Sequence, residues 1–308
     1  MARINALLQK LSGGNQWRRQ WLVLLMALLV SGCAVRLAYN WLDFVIGWKL
    51  DDYFELDRRQ RRALDAELAP LLAWHRQQEL PGYARLLRNL SADLAGPLST
   101  SQISRYLDDW EAATLRLAER LQQPANRVAA LLSDQQVAAF MVERRRKQAE
   151  RRKDWQEGGL AKVQRDAMRK LERDIERWFG RMEPEQRQLI TEWARWQQQY
   201  YPLWLDYQEQ WLDTLEQTFA QRGTPQFGPA MIDVVVNSGR VGGGRFSRHV
   251  ADSRQQWIAW AARLSATLSS EQRQQIRSQL DELAGDLEAL SGSQAAALAA
   301  SPQIAVRL

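Results

Sequence analysis

The residues whose types and spacing could do chemistry are few. His75 and Glu79 stand one helical turn apart and offer two possible metal ligands. A zinc centre takes three or four, and the second histidine, His249, is far along the chain, so an exposed polar pair and no metal is the expectation. Gly242-Gly243-Gly244-Arg245 is a Gly-rich run, but it lacks the lysine and Ser/Thr of a phosphate-binding P-loop and reads as a flexible loop. Neither G-x-S-x-G nor H-E-x-x-H occurs, and the carboxylates are scattered. These observations point to binding rather than catalysis, with no catalytic residue and no cofactor.

Three features remain. Arg144, Arg145, Arg146, Lys147, Arg151, Arg152 and Lys153 form a basic cluster opposed within its span by Glu150 alone. Such a cluster either binds an anionic envelope surface or lines a solvated helix bridging two packed regions. Trp193, Trp196, Tyr200, Trp204, Tyr207 and Trp211 recur every three or four residues; an aromatic stripe of this kind packs in a core or lies open as a groove. The third is Cys33, the single thiol of the chain.

The surroundings of Cys33 give it a meaning. Residues 1–20 carry Arg3, Lys10, Arg18 and Arg19 and no acid, Trp21–Val30 has no polar side chain, and Ser31 and Gly32 are small. Basic, apolar, small is the layout of a secretory signal peptide; ten apolar residues fall short of the roughly 20 that span a bilayer. Val30-Ser31-Gly32-Cys33 resembles the lipobox of bacterial lipoproteins. That resemblance implies cleavage between Gly32 and Cys33 and a covalent lipid on the Cys33 sulfur, the one prosthetic group expected. Ala34, where aspartate favours inner-membrane retention in such lipoproteins, implies the periplasmic side of the outer membrane. An acylated chain keeps no thiol for disulfides, metal or nucleophilic chemistry. Its charge also changes. The whole chain is +6, and the four positives before Cys33 leave about +2 once removed, which with export argues against nucleic acid as a partner.

These features must be positioned by helices. Ile103, Leu107, Trp110, Thr114, Leu117, Leu121 and Ile276, Leu280, Leu283, Leu287, Leu290 step by three and four, the stripe of an amphipathic helix. The expected fold is all-α: an elongated multi-helix bundle of amphipathic helices, coiled-coil-like, with one long Gly-rich loop. An apolar residue, a capping residue, two others and a glutamine recur at Leu56–Gln60, Leu98–Gln102, Leu132–Gln136, Met182–Gln186 and Leu268–Gln272. This is a capping box, and it predicts helix starts near 57, 99, 133, 183 and 269. Breaks are expected at Pro81-Gly82, Gly96-Pro97, Pro124, Gly158-Gly159 and Pro202. The organisation expected is a signal peptide over 1–32, a lipid-proximal linker over 33–55, a helical domain over 56–290 with an irregular loop at 223–250, and a flexible tail over 291–308. The linker mixes acids with Trp41, Phe44 and Trp48, so it either lies on the membrane surface or folds back on the helices.

Arg36-Leu37-Ala38-Tyr39-Asn40, Trp48–Tyr53, Trp74-His75 and Glu79–Tyr83 together resemble a family of proteobacterial lipoproteins known only as a domain of unknown function. The resemblance implies a helical, lipid-anchored envelope protein and brings no activity. The Leu-Ser-x-x-Gln copies are more weakly similar to the Leu-Thr-x-x-Gln motif of periplasmic helical chaperones of the Spy and CpxP kind. The function expected is a non-enzymatic, periplasm-facing interaction or scaffold protein with the membrane and an envelope protein as partners. The alternatives are a periplasmic chaperone or stress adaptor, and an enzyme acting on envelope lipid or cell-wall material.

Overall fold

The computed structural model describes residues 33–198, 200–236 and 244–299. The expected signal peptide, with Gly32 of the cleavage site, and Gly242-Gly243 lie outside the described residues. Among the described residues every regular element is helical: α1 (Cys33–Asn40), α2 (Leu42–Phe54), α3 (Arg58–Trp74), a π-helical turn (His75–Glu79), α4 (Leu80–Asp93), α5 (Thr100–Ala129), α6 (Asp134–Phe179), α7 (Pro184–Gln198), α8 (Tyr201–Ala220), α9 (Phe227–Val235), α10 (Gly244–Ala266) and α11 (Ser270–Ala299).

Five helices start where the capping boxes place them. Asp57, Ser99 and Ser133 each accept from the N3 backbone N–H while Gln60, Gln102 and Gln136 reach back, and the Glu183 and Ser269 N–H groups donate to Gln186 and Gln272 at 3.0 Å. Four of these glutamines do more. Gln60 Nε2 donates to Gln136 Oε1 at 2.8 Å, and Gln136 Nε2 donates to Gln60 Oε1 at 2.9 Å. Gln186 and Gln272 pair in the same way at 2.7 and 3.0 Å. The second N–H of each amide donates to a carbonyl two or three residues before the partner's cap: Leu131 for Gln60, Phe54 for Gln136 at 2.8 Å with Glu55 at 3.3 Å, Thr267 for Gln186 and Arg181 for Gln272. Each pair is therefore a reciprocal clasp between two helix starts, with its amides satisfied on all sides.

Each clasp sits beside a hydrophobic cluster. The larger one gathers Phe54, Leu64, Leu68, Met141, Leu215, Phe219 and Phe227 from α2, α3, α6, α8 and α9. The smaller joins Leu94, Leu268, Ile276 and Leu280, with Phe179 against it. Helix α6 supplies Met141 to one cluster and Phe179 to the other, about 57 Å apart along a straight helix. It is broken in between at Gly159, whose φ of 61° and ψ of −176° are non-helical.

Several expectations are corrected. The 33–55 segment forms two helices, and half-buried Ile46 and Leu50 of the second pack against the larger cluster, so the alternative in which it folds back on the helices is the one that agrees. Pro81 does not end the rod from Arg58 to Asp93: it falls in the first turn of α4, just past the π-turn, where a missing N–H costs little. Pro124 lies inside α5. The irregular segment at 223–250 contains α9 and the start of α10. Helix α9 forms despite Gly228 and Pro229 because Phe227 and Val234 are buried, and Gly228 lets it approach α5, where a Cβ would stand 3.0 Å from that of Gln122. The 291–308 tail is helical as far as Ala299, consistent with an alanine-rich run.

Candidate functional site

The π-turn gathers a cluster of polar side chains. A π-turn inserts an extra residue into the helix and re-aims the side chains it carries. His75 points at α1, where its Nδ1 lies 2.7 Å from the Tyr39 hydroxyl, with the two rings stacked at 5.8 Å. Tyr83 meets His75 edge-on at 5.6 Å. Arg76 covers the Tyr39 ring at 5.1 Å and donates to Asn40 at 3.1 Å. Glu79, 4% exposed, accepts two bonds from Arg116 of α5, at 3.1 and 2.9 Å. Arg36 donates to the buried Asp286 of α11 at 2.8 Å. Helix α1 is thus held on the bundle by polar contacts to the π-turn and to α11.

Burial pushes the Tyr39 and Tyr83 hydroxyls above their ordinary range, Arg76 opposing it at Tyr39 and the Glu79 charge adding to it at Tyr83. Burial lowers His75, with the nearby Glu79 charge opposing, and lowers His249, with Asp252 opposing. The folded state therefore binds fewer protons than the unfolded state just below the ordinary imidazole pKa of about 6.5. The stability these histidines contribute is present above that value and lost as pH falls. Between about pH 7.5 and about pH 5.5 the urea midpoint should drop, and His75→Gln should flatten the slope. An unchanged slope in that variant would assign the effect elsewhere.

Next to this cluster lies an apolar cavity of about 410 Å³. Helices α2 and α5 both pack on α3, and the cavity lies between them. Leu42, Ile46 and Leu50 form one wall, Leu121 and Ala125 the other, and Leu68 part of the floor. His75 lines it as well, and so does Glu67, whose carboxylate is held by Arg127 at 2.5 and 2.6 Å.

The side chains singled out in the sequence fall out differently. Both Glu79 oxygens go to Arg116 and His75 Nδ1 to Tyr39, and no group of three possible metal ligands occurs among the described residues. In the aromatic stripe Tyr207 is buried and the other five rings are half-buried. Trp193 stacks on Trp196 and Trp260 at 5.0 and 5.4 Å, and Trp196 and Tyr200 lie against His249, Tyr200 at 3.5 Å. Tyr207 stacks on Phe246 at 4.0 Å, Trp204 lies beside Tyr201, and Trp211 Nε1 donates to the Val234 carbonyl. Helices α9 and α10 thus lie against part of the face that an open groove would need.

The basic cluster is largely neutralised by acids. Arg145 reaches Asp213 and Glu216, and Arg152 reaches Asp206 and Glu209, all on α8. Arg146 pairs with Glu143 and Glu150, Lys147 with Glu143 and Lys153 with Glu157. Arg151 donates to Gln148, and Arg144 lies over the Tyr53 ring at 5.8 Å. Two arginines seven residues apart face acids at matching intervals on α8, and that complementarity is readable in the sequence once the two helices are known to pair. The side chains missed there are Tyr39, Arg116 and Asp286. Tyr39 stands among the residues that carry the family resemblance; nothing local marks the other two.

Cys33 is the first residue of α1. Outward from α1 and α2, Leu37, Trp41, Phe44, Val45 and Trp48 are 47–63% exposed. The row ends where Lys49 pairs with Asp52 at 3.5 Å. Among the described residues no helix is long and apolar enough to cross a membrane. The model of a family of unknown function, DUF6279, matches residues 52–241. No curated protein and no solved structure matches.

Proposed function

This chain belongs to the DUF6279 family, and from that premise we propose that it is a lipid-anchored helical scaffold of the bacterial envelope, without catalytic activity. The signal peptide is removed, Cys33 carries the lipid, and the protein faces the periplasm from the outer membrane, where its remaining surface engages an envelope protein. The observation that carries this reading is the row Leu37, Trp41, Phe44, Val45 and Trp48. Soluble proteins seldom leave so many large apolar side chains exposed side by side, and tryptophan is favoured at the membrane–water boundary. The row follows directly on Cys33, so an acyl anchor and an interfacial helix would act on the same patch of membrane. One lipid chain alone binds marginally, and a second contact makes the attachment stable.

The chaperone reading loses its main support. The glutamines of the copies at 132 and 268 are occupied in clasps, and the copy at 98 caps α5. The enzyme reading has the polar cluster near His75, but those groups are paired with one another.

The test has two arms. Wild-type cells should incorporate labelled palmitate and the Cys33→Ser variant should not. Within that non-acylated full chain, adding Trp41→Ser, Phe44→Ser and Trp48→Ser should weaken binding to phosphatidylethanolamine–phosphatidylglycerol vesicles by about ten-fold or more, given the transfer energy of large apolar side chains. Labelling that persists in Cys33→Ser would sink the anchor, and unchanged vesicle binding would sink the interfacial helix.

A further inference from the structure

We propose that the cavity between α2 and α5 holds one acyl chain of a lipid. This goes beyond the scaffold reading and stands on the cavity itself. The wall is built from leucine, isoleucine, valine, alanine, proline, methionine and phenylalanine side chains, with His75 and Glu67 as the polar members. His75 is engaged by Tyr39 and Glu67 by Arg127. An extended peptide segment buried there would lose water from its backbone amides and find no partner for them. A sugar or nucleotide would fare worse. A hydrocarbon chain has nothing to satisfy.

Its dimensions agree. The volume of about 410 Å³ falls within the range of roughly 300–1,000 Å³ for small-ligand sites. The wall from Leu42 to Phe54 is about 18 Å long at the α-helical rise. A membrane lipid's chain reaches roughly half of a ~30 Å hydrocarbon core, so a single chain fits lengthwise.

Access agrees too. Leu42, Ile46 and Leu50 on α2 and Leu117 and Leu121 on α5 are half-buried, whereas Leu64 and Leu68 beneath them are buried. The cavity therefore opens between α2 and α5. Helix α2 carries the exposed aromatic row on its outer face and the cavity wall on the adjacent face. A chain leaving the bilayer beside Trp41 and Trp48 would meet the mouth within the width of one helix. The chain could be that of a free membrane lipid or the one attached at Cys33; the chemistry of the pocket is the same for both.

The test is titration of the full protein with cis-parinaric acid, a fluorescent fatty acid, in vesicle-free buffer, with palmitate as competitor. Saturable binding of one probe per chain, displaced by palmitate, is expected. Ala125→Trp fills the cavity and should weaken binding ten-fold or more, while Ala112→Trp, on the exposed side of the same helix, should leave it unchanged. Leu117→Trp, at the half-exposed mouth, provides the same readout should Ala125→Trp fail to fold. Equal uptake by the wild type and Cys33→Ser supports a free lipid as the occupant. Uptake confined to Cys33→Ser supports the protein's own anchor. Absence of saturable uptake in both, or binding insensitive to both cavity-filling variants, overturns the proposal. Because no bilayer is present, failure here is separate from failure of the interfacial helix.

Discussion

Replacing Gln186 with alanine should destabilise the protein by about 3 kcal/mol, the upper part of the range for leaving buried polar groups unpaired. The Gln186 side chain is fully buried, and its amide answers four groups: the Glu183 N–H, the Gln272 carbonyl oxygen and amide N–H, and the Thr267 carbonyl. Alanine leaves all four short of a partner in a site with little water. Gln102→Ala is the control. It removes the same residue from the same kind of capping box, but Gln102 is half-buried, and the loss should be a few tenths of a kcal/mol to about 1 kcal/mol. Urea unfolding reads both. The double variant Gln186→Ala, Gln272→Ala should cost less than the two single losses added, because either change alone already opens the clasp. Equal effects at 186 and 102 would mean that the clasp contributes no more than a helix cap.

This contrast also marks what a sequence can disclose. A capping box is written within four residues, so all five helix starts were legible from Leu56–Gln60 to Leu268–Gln272. The clasp joins glutamines 76 and 86 residues apart, and no local pattern distinguishes the clasped copies from the one at Ser99. The same limit explains the aromatic stripe. Its spacing places six rings on one face, but what packs against part of that face, Phe246, His249 and Trp260 of α10, lies some 40 to 70 residues on. The basic cluster reads as charge without its counter-charges for the same reason, since the acids that meet Arg145 and Arg152 lie on α8.

Proline and glycine misled in the opposite direction. They mark breaks when the backbone has no better option, as at Gly159 and Pro202. Pro81 follows a π-turn that has already interrupted the helical ladder, and the Gly228-Pro229 pair sits where burial of Phe227 and Val234 outweighs propensity. The π-turn itself had no signature, and with it the meeting of His75, Tyr39 and Glu79 stayed hidden. What the sequence did offer was that Tyr39, Asn40, His75, Glu79 and Tyr83 belong to the stretches resembling one family; the structure brings them within one cluster.

That cluster suggests the second large effect. Arg116→Met should cost about 3 kcal/mol, the lower end expected for breaking a buried ion pair, since the outer half of Arg116 is in solvent and that part of the attraction is screened. The asymmetry is the informative part. Arg116→Met leaves the Glu79 carboxylate buried without its partner. Glu79→Gln leaves Arg116 free to hydrate, and the new amide can still accept from it, so its cost should be about 1 kcal/mol. The double variant should recover part of the Arg116→Met loss, because the stranded charge is gone. Glu79 closes the π-turn that aims His75 at Tyr39, so the damage should also travel to α1. Hydrogen exchange at 33–54 should quicken in Arg116→Met and far less in Glu79→Gln. Equal costs for the two single variants, with exchange in α1 unchanged, would place the stability of the π-turn in its packing instead. The exposed apolar row would then be held by the Arg36–Asp286 pair and by the packing of α1 on α11 and of α2 on α3 and α6, and the two ends of α1 would respond to separate substitutions.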